Sequence, residues 1–279
     1  MARMAGRWLK LAGMAFTLGA VGAIAVAERT RPLRRQTVPA LPRVTRNLMM
    51  GAMCLVVIAA IENPATRAVA ARNSRKRRGL QHALGGIPGK AAAFLAMDYG
   101  FYLWHVATHK VPFLWRWHRV HHVDPDMDAS TALRFHFLDM VVSLPWRLVQ
   151  VRLSGVDPAM LARWQRFFFL SVLFHHSNTR LSPAWERALS RLITTPAMHG
   201  VHHAQDWHLM DSNWSSGVAL WDHLHGTYRG EVPQDAITIG VDDPCAAQDV
   251  PLAGALKAPL LPSPRRARPL RLADGARIG

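Results

Sequence analysis

The hexapeptides WHRVHH (117–122) and MHGVHH (198–203) write His-x-x-His-His twice in one chain. Of its 15 histidines, all but His82 fall between His105 and His225. His105 and His109 are four apart, so a helix presents both rings on one face. The same rule aligns most of His118, His121 and His122, and of His199, His202 and His203. His175 and His176 are adjacent in LFHHSN. Imidazole fills a core poorly, because each ring nitrogen demands a partner. In its neutral form it is the commonest metal ligand. An exposed His-rich surface or a pH sensor would leave the spacing unregulated, whereas here it repeats. These ten residues therefore predict metal binding. One ion takes about four to six ligands, so ten point to two ions. Imidazole suits zinc, copper, iron and nickel alike, which leaves the metal open. Asp98, Asp211 and Asp222 are candidates to orient ring N–H groups. Equally, Asp98 suits a polar helix surface, and Asp211 or Asp222 a helix cap.

The elements that carry these rings read as helices, since the period-2 alternation of strands is scarce. Half of the chain is apolar and 19% is charged, against roughly 25% in an ordinary soluble domain. The net charge of +16 invites a nucleic-acid partner, but the basic residues bracket apolar runs instead of forming a stripe. Arg29, Arg31, Arg34 and Arg35 follow one run, and Arg72, Arg75, Lys76, Arg77 and Arg78 follow another. That is the pattern of a membrane protein, with no nucleic acid bound. Residues 11–27 are uncharged and suit an anchor better than a cleaved signal, although Ala25-Val26-Ala27 resembles a cleavage site. A second run, 47–61, is expected to stop at Asn63-Pro64, with a charged loop at 71–80. Residues 91–109 form a third run. Residues 138–151, with Pro145 and Arg147, form a weaker fourth, and 166–176 is too short to cross alone. Two to four spanning helices follow. The expected organisation is membrane-anchoring helices and a basic loop over 1–90, a histidine-box region over 91–230, and a Pro/Arg-rich tail over 231–279. The tail has little to bury and is expected to be disordered. Cys54 and Cys245 are too few for a disulfide framework.

His105-x3-His109, His118-x2-His121-His122 and His199-x2-His202-His203 are similar to the histidine boxes of the fatty acid hydroxylase/sterol desaturase superfamily, in family order. DYGFYLWHVATH, LFHHSNTRL, TPAMHGVHH and LWDHLHGTY carry the likeness further, over roughly residues 95–230. The resemblance implies an all-α integral membrane oxidoreductase, with transmembrane helices capped by a cytosolic helical region. It implies two iron ions bound by the three boxes, with His175 and His176 in the place of the family's further ligands and the choice between them open. It also implies O2 as co-substrate and hydroxylation or desaturation of a membrane lipid, fatty acyl or sterol-like, at the metal centre itself. No separate acid or base is assigned. His136 matches a recurrent family position, with a metal or a structural hydrogen bond as its alternatives. Asn178, Asp211, Asn213, Asp222 and His225 are candidates beside the ligands or the substrate. Two departures stand out: Ser215 replaces a usual Gly, and His225 replaces a usual Phe. No haem or dinucleotide-binding signature is present, so electrons must come from a separate donor, a reductase with a ferredoxin or cytochrome-type carrier. Trp104, Trp115 and Trp117 would line the substrate slot, or else form an interfacial belt or ordinary packing. The competing classes are a metal transporter or storage protein, a non-catalytic lipid-binding relative, and a zinc hydrolase. The last lacks its His-Glu-x-x-His.

Overall fold

The computed structural model describes residues 2–261, with side chains from Leu11 onward. Among the described residues the protein is all-helical, and extended pairing is confined to three isolated bridges. Helix α1 (Ala2–Thr30) leads into α2 (Ala40–Val57), which continues through a π-helical turn (Ile58–Glu62) into α3 (Asn63–Lys76). Then come α4 (Leu80–Leu84), α5 (Gly86–Lys110) and α6 (Pro112–His122). A 3-10 turn at Ala129–Leu133 precedes α7 (Phe137–Val142), α8 (Leu144–Ser154) and α9 (Pro158–His176). The remaining helices are short: α10 (Pro183–Leu189), α11 (Pro196–His202), α12 (Trp207–Met210), α13 (Leu220–His225), α14 (Ala246–Asp249) and α15 (Leu252–Lys257).

Two helical stretches, Leu11–Thr30 and Ala40–Leu84, each contain a segment long and apolar enough to cross a bilayer. The second overturns the expected stop at Asn63-Pro64. Pro64 follows directly on the π-helical turn, so its missing N–H falls where the regular i→i−4 ladder is already interrupted. The π-helical turn just before it absorbs the change of register. The expected loop at 71–80 is helical as far as Lys76. It ends at Arg77 in the left-handed region (φ 46°), with Arg78 N–H closing on the Asn73 carbonyl at 3.1 Å. The 138–151 run divides into α7 and α8 at Ser143, because Pro145 opens a new helix. Neither half is long enough to span.

Helices α3, α5, α8 and α9 share one core, in which Ala70, Ala93, Met97, Val151 and Trp164 are buried. Gly79 and Gly155 let the α3–α4 connection touch the end of α8. A Cβ on Gly79 would stand 2.4 Å from the Gly155 Cα, and both residues have positive φ. The segment 231–261 corrects the disordered tail expected from composition. Arg119 on α6 pairs with Asp243 at 2.7 Å and with Asp249 at 2.5 Å. Arg134, fully buried, donates to the Asp249 and Val250 carbonyls at 3.1 Å. Ala255 packs on Met50 and Val120. Two buried arginines need acceptors, and this segment supplies them. The rest of the expected tail, 262–279, lies outside the described residues.

Candidate metal centre

Four helices deliver the histidines. α5 carries His105 and His109 one turn apart, α6 carries His118, His121 and His122, α9 ends in His175 and His176, and α11 holds His199 and His202, with His203 just after it. Prolines open α6, α9 and α11. The side chains of Asp157 and Thr195 cap α9 and α11 by accepting from the N–H of Met160 and Met198. Local sequence thus sets where each helix begins, and helical spacing sets which rings face inward.

Nine of the ten predicted rings meet in two groups, one of His105, His109, His118, His122 and His202, the other of His121, His176, His199 and His203. Within each group the donor nitrogens lie within 4.8 Å of one another, and every member is buried. In the second group Nε2 atoms approach in sequence: His121 to His176 at 3.0 Å, His176 to His199 at 3.0 Å, and His199 to His203 at 3.1 Å. In the first, His118 and His122 approach at 3.2 Å. Two nitrogens about 2.1 Å from one ion and at right angles to each other would stand about 3.0 Å apart. His175 remains outside both groups. Its ring packs on His199 with centroids 4.0 Å apart.

Backbone carbonyls fix the ring tautomers. His105 Nδ1–H donates to the Trp214 carbonyl at 2.7 Å, His202 Nδ1–H to Ser212 at 2.9 Å, and His176 Nδ1–H to Val172 at 2.8 Å. A carbonyl only accepts, so each ring carries its proton on Nδ1 and turns an Nε2 lone pair toward its group. Buried Nδ1 atoms of His121, His122, His199 and His203 have no hydrogen-bond partner, nor does His202 Nε2. Burial pulls His105 down to about 4 and His176 to about 3. Burial, reinforced by neighbouring histidines, holds His118, His121, His122, His199, His202 and His203 well below the ordinary range. The rings are therefore neutral at pH 7, the state that metal ligation requires. Unsatisfied buried nitrogens are costly in a native core. The nitrogens that face one another, one from each of the nine rings, converge on two points and fit two ions.

The loop around Asn213 orients these rings from outside. Asn213 adopts the left-handed region (φ 52°), and the carbonyls flanking it, Ser212 and Trp214, are the ones that receive His202 and His105. Its side chain donates to the Met198 and Arg229 carbonyls and accepts from the Arg229 N–H. Asp222 accepts from the N–H of Trp214 and Ser215 and from the Thr227 hydroxyl, at 2.7–2.9 Å. Positive φ falls on Asn213 and not on Ser215, so a serine in place of the usual glycine puts no strain on the turn. We predict that Asn213→Ala, which releases both flanking carbonyls, lowers metal affinity by about 10–100-fold. Metal titration of the apoprotein reads this directly, and wild-type affinity would show that the loop does not position the rings.

The other candidates stay away from both groups. His136 caps α7, accepting from the Leu138 N–H at 3.2 Å and meeting the Leu256 carbonyl at 3.3 Å, and joins neither group. Asn178 clasps residue 34, accepting from its N–H and donating to its carbonyl. Asp211 pairs with Lys110 at 2.6 Å. Asp98 accepts from the Val218 N–H and the Trp221 indole, docking α13 on α5. His225 stacks on Tyr99 and Tyr102, with centroids 5.7 and 5.0 Å away, and meets the Tyr99 hydroxyl at 3.1 Å. It replaces one flat ring with another, so His225→Ala is expected to leave metal content at the wild-type level. A loss measured by elemental analysis would make His225 a recruited ligand.

A cavity of about 370 Å³ opens onto His105, His118, His121, His175, His176 and His199. Its walls are apolar, built by Leu55 and Ile58, Phe101, Leu133 and Phe135, and Phe168 and Phe169. Of the three tryptophans, Trp104 lines it. Trp115 packs instead on His109 and His122, and Trp117 on His136.

Sequence comparison locates this arrangement among known proteins. The fatty acid hydroxylase family model matches residues 90–227. Human alkylglycerol monooxygenase is 29% identical over 155 residues, 55% of this chain and 33% of that protein. An ornithine lipid hydroxylase of Rhizobium tropici is 26% identical over 146 residues, covering 52% and 43%. A cholesterol 25-hydroxylase-like protein of Danio rerio is 29% identical over 152 residues, covering 50% and 55%. The chain thus spans between a third and just over half of these relatives' lengths. No solved structure matches significantly. The family match takes in all nine rings, and through residues 90–227 the chain belongs to the fatty acid hydroxylase superfamily.

Proposed function

We propose that the protein is an O2-dependent membrane lipid hydroxylase whose reaction takes place at two histidine-bound iron ions. The observation that carries this reading is the pair of buried imidazole groups facing an apolar cavity. One ion would be held by His105, His109, His118, His122 and His202, the other by His121, His176, His199 and His203, with His175 positioning His199. When bound, iron supplies the redox capacity to activate O2 against an unactivated C–H bond, a task for which side chains have no acid, electrophile or leaving group to use.

The chain's own residues do the rest. Carbonyls of Ser212, Trp214 and Val172 hold three rings in one tautomer. The phenylalanines and Leu133 exclude water from the space beside the rings and present an alkyl chain to it. One oxygen atom enters the C–H bond and the other leaves as water, so an external reductant is required, met by a separate carrier protein. The names of the relatives favour hydroxylation over desaturation. With Leu11–Thr30 and Ala40–Leu84 taken to span the membrane, the basic residues Arg29, Arg31, Arg34 and Arg35 favour a cytosolic side for the metal centre, because the loop that carries them bonds to Asn178 and Arg180 just past His176.

The test is lipid mass spectrometry of cells with and without the intact gene, under isotopically labelled O2. A membrane lipid gaining one labelled oxygen is the expected result. No mass change in any lipid, with metal-loaded protein and a working reductant present, would refute the reading.

A further inference from the structure

The cavity has two chemically different ends. Along α9 its lining passes from Gln165 through Phe168 and Val172 to His176. These residues lie about one turn apart, so roughly 16 Å separates the first from the last at 1.5 Å per residue. Along α2 the histidine end is marked by Gly51, which faces Leu133, two residues before the Phe135 ring that stacks on His121 at 4.3 Å. Eleven residues further on, Glu62 and Asn63 mark the opposite end, where Gln165 donates to the Asn63 side chain at 3.4 Å.

At that far end the apolar lining gives way to charge. Glu62 is buried in the π-helical turn, 3.4 Å from Arg147 on α8, and no hydrogen bond satisfies its Oε2. Asp139 on α7 is buried as well, lines the same space and lies within the field of Arg147. Arg147 also donates to the Ser143 hydroxyl at 3.2 Å. Two carboxylates thus share one guanidinium at the end of a greasy slot. Such an ionisable cluster is expensive to maintain beside lipid, and a buried carboxylate oxygen without a donor is worse. Leu55 (61% exposed) and Phe169 (41%) line the cavity and also reach the outer surface of the protein, giving an apolar side entrance between α2 and α9.

We propose that Glu62 and Asp139, braced by Arg147, bind a hydrogen-bond-donating terminus of the lipid, a hydroxyl or an ammonium, so that the oxidised carbon lies roughly 16 Å from it. This rests on the reading above that a lipid occupies the cavity. An anionic terminus is rejected, because a carboxylate or phosphate would bring a third negative charge to two that share one cation. A hydroxyl or ammonium supplies the donor that Glu62 lacks.

The probes are dodecanol, dodecylamine, laurate and dodecane, added to the full-length, metal-loaded protein in nanodiscs, with binding followed by the shift in thermal midpoint. Dodecanol, dodecylamine or both are expected to bind at least about tenfold more tightly than laurate and dodecane, as one hydrogen bond to a charged group provides. Which of the two binds more tightly identifies the donor. Glu62→Gln and Asp139→Asn are each expected to remove that preference while metal content and dodecane binding stay unchanged. Laurate binding as tightly as both donor probes would overturn the proposal, and so would a preference that survives both substitutions. If Glu62→Gln does not fold, Asp139→Asn alone decides. The preference needs no turnover, so a protein that shows it without oxidising any lipid would defeat the proposed activity and leave this inference standing.

Discussion

His122→Ala and His199→Ala, one from each imidazole group, are each expected to abolish measurable lipid oxidation. Each opens a coordination position with a methyl group that cannot reach or donate. Losing even a residue that merely orients a ligand costs about 10–100-fold in affinity or activity, and removing the ligand itself costs at least as much. The two substitutions should differ in the metal they release. His122 belongs to the five-ring group and His199 to the four-ring group, so wild-type protein should hold two metals per chain and each variant fewer. The four-ring group has less redundancy and should empty more completely. His82→Ala and His136→Ala serve as controls, since neither ring joins a group. Elemental analysis beside the oxidation assay reads both quantities. Full metal content and activity in both variants would remove the histidine groups from the chemistry.

Asp124→Ala is expected to produce the largest loss of stability, about 3–5 kcal/mol, the range for stripping one partner from a buried ion pair. Asp124 is fully buried just after α6. Its carboxylate accepts from Arg46 at 3.0 Å, Asn47 at 2.8 Å, Thr131 at 3.3 Å and Arg43 at 3.4 Å. Arg43 is equally buried and would lose one of its two ion-pair partners, keeping Asp128. Alanine cannot satisfy those donors. The network ties α2 to the loop that follows His118, His121 and His122, so metal affinity should fall along with stability. Denaturant unfolding of the metal-free protein separates the two effects. A change below about 1 kcal/mol would show that the network is dispensable to the fold.

Residue types and their spacing made the chemistry legible. The i, i+3 and i, i+4 periodicities place rings on helix faces by covalent geometry alone, and adjacent or repeated histidines have few other uses in a buried core. The helical class and the first membrane-length run were equally local, because apolar content and period are properties of consecutive residues. The sorting of rings into groups was not local. His121 and His122 are neighbours in sequence, yet they enter different groups because successive helical positions are rotated by about 100°. His176 enters one while His175 does not, for the same reason. Only the packing of α5, α6, α9 and α11 decides which rings from distant segments share a point.

The carbonyls that lock His105, His202 and His176 were invisible for a different cause. They are backbone atoms, and a sequence names only side chains. Asn213 was within reach of the sequence as a residue type that tolerates positive φ, but nothing local says that its neighbours' carbonyls face two rings. Composition misjudged 231–261, because a Pro- and Ala-rich segment orders here by answering two buried arginines elsewhere in the chain. The pairing of Glu62 with Arg147 likewise joins residues 85 positions apart. Spacing determined the kind of chemistry, since it acts through bonded geometry. Tertiary packing decided which rings share a group and what lies at the far end of the cavity, since those are meetings between residues the chain keeps far apart.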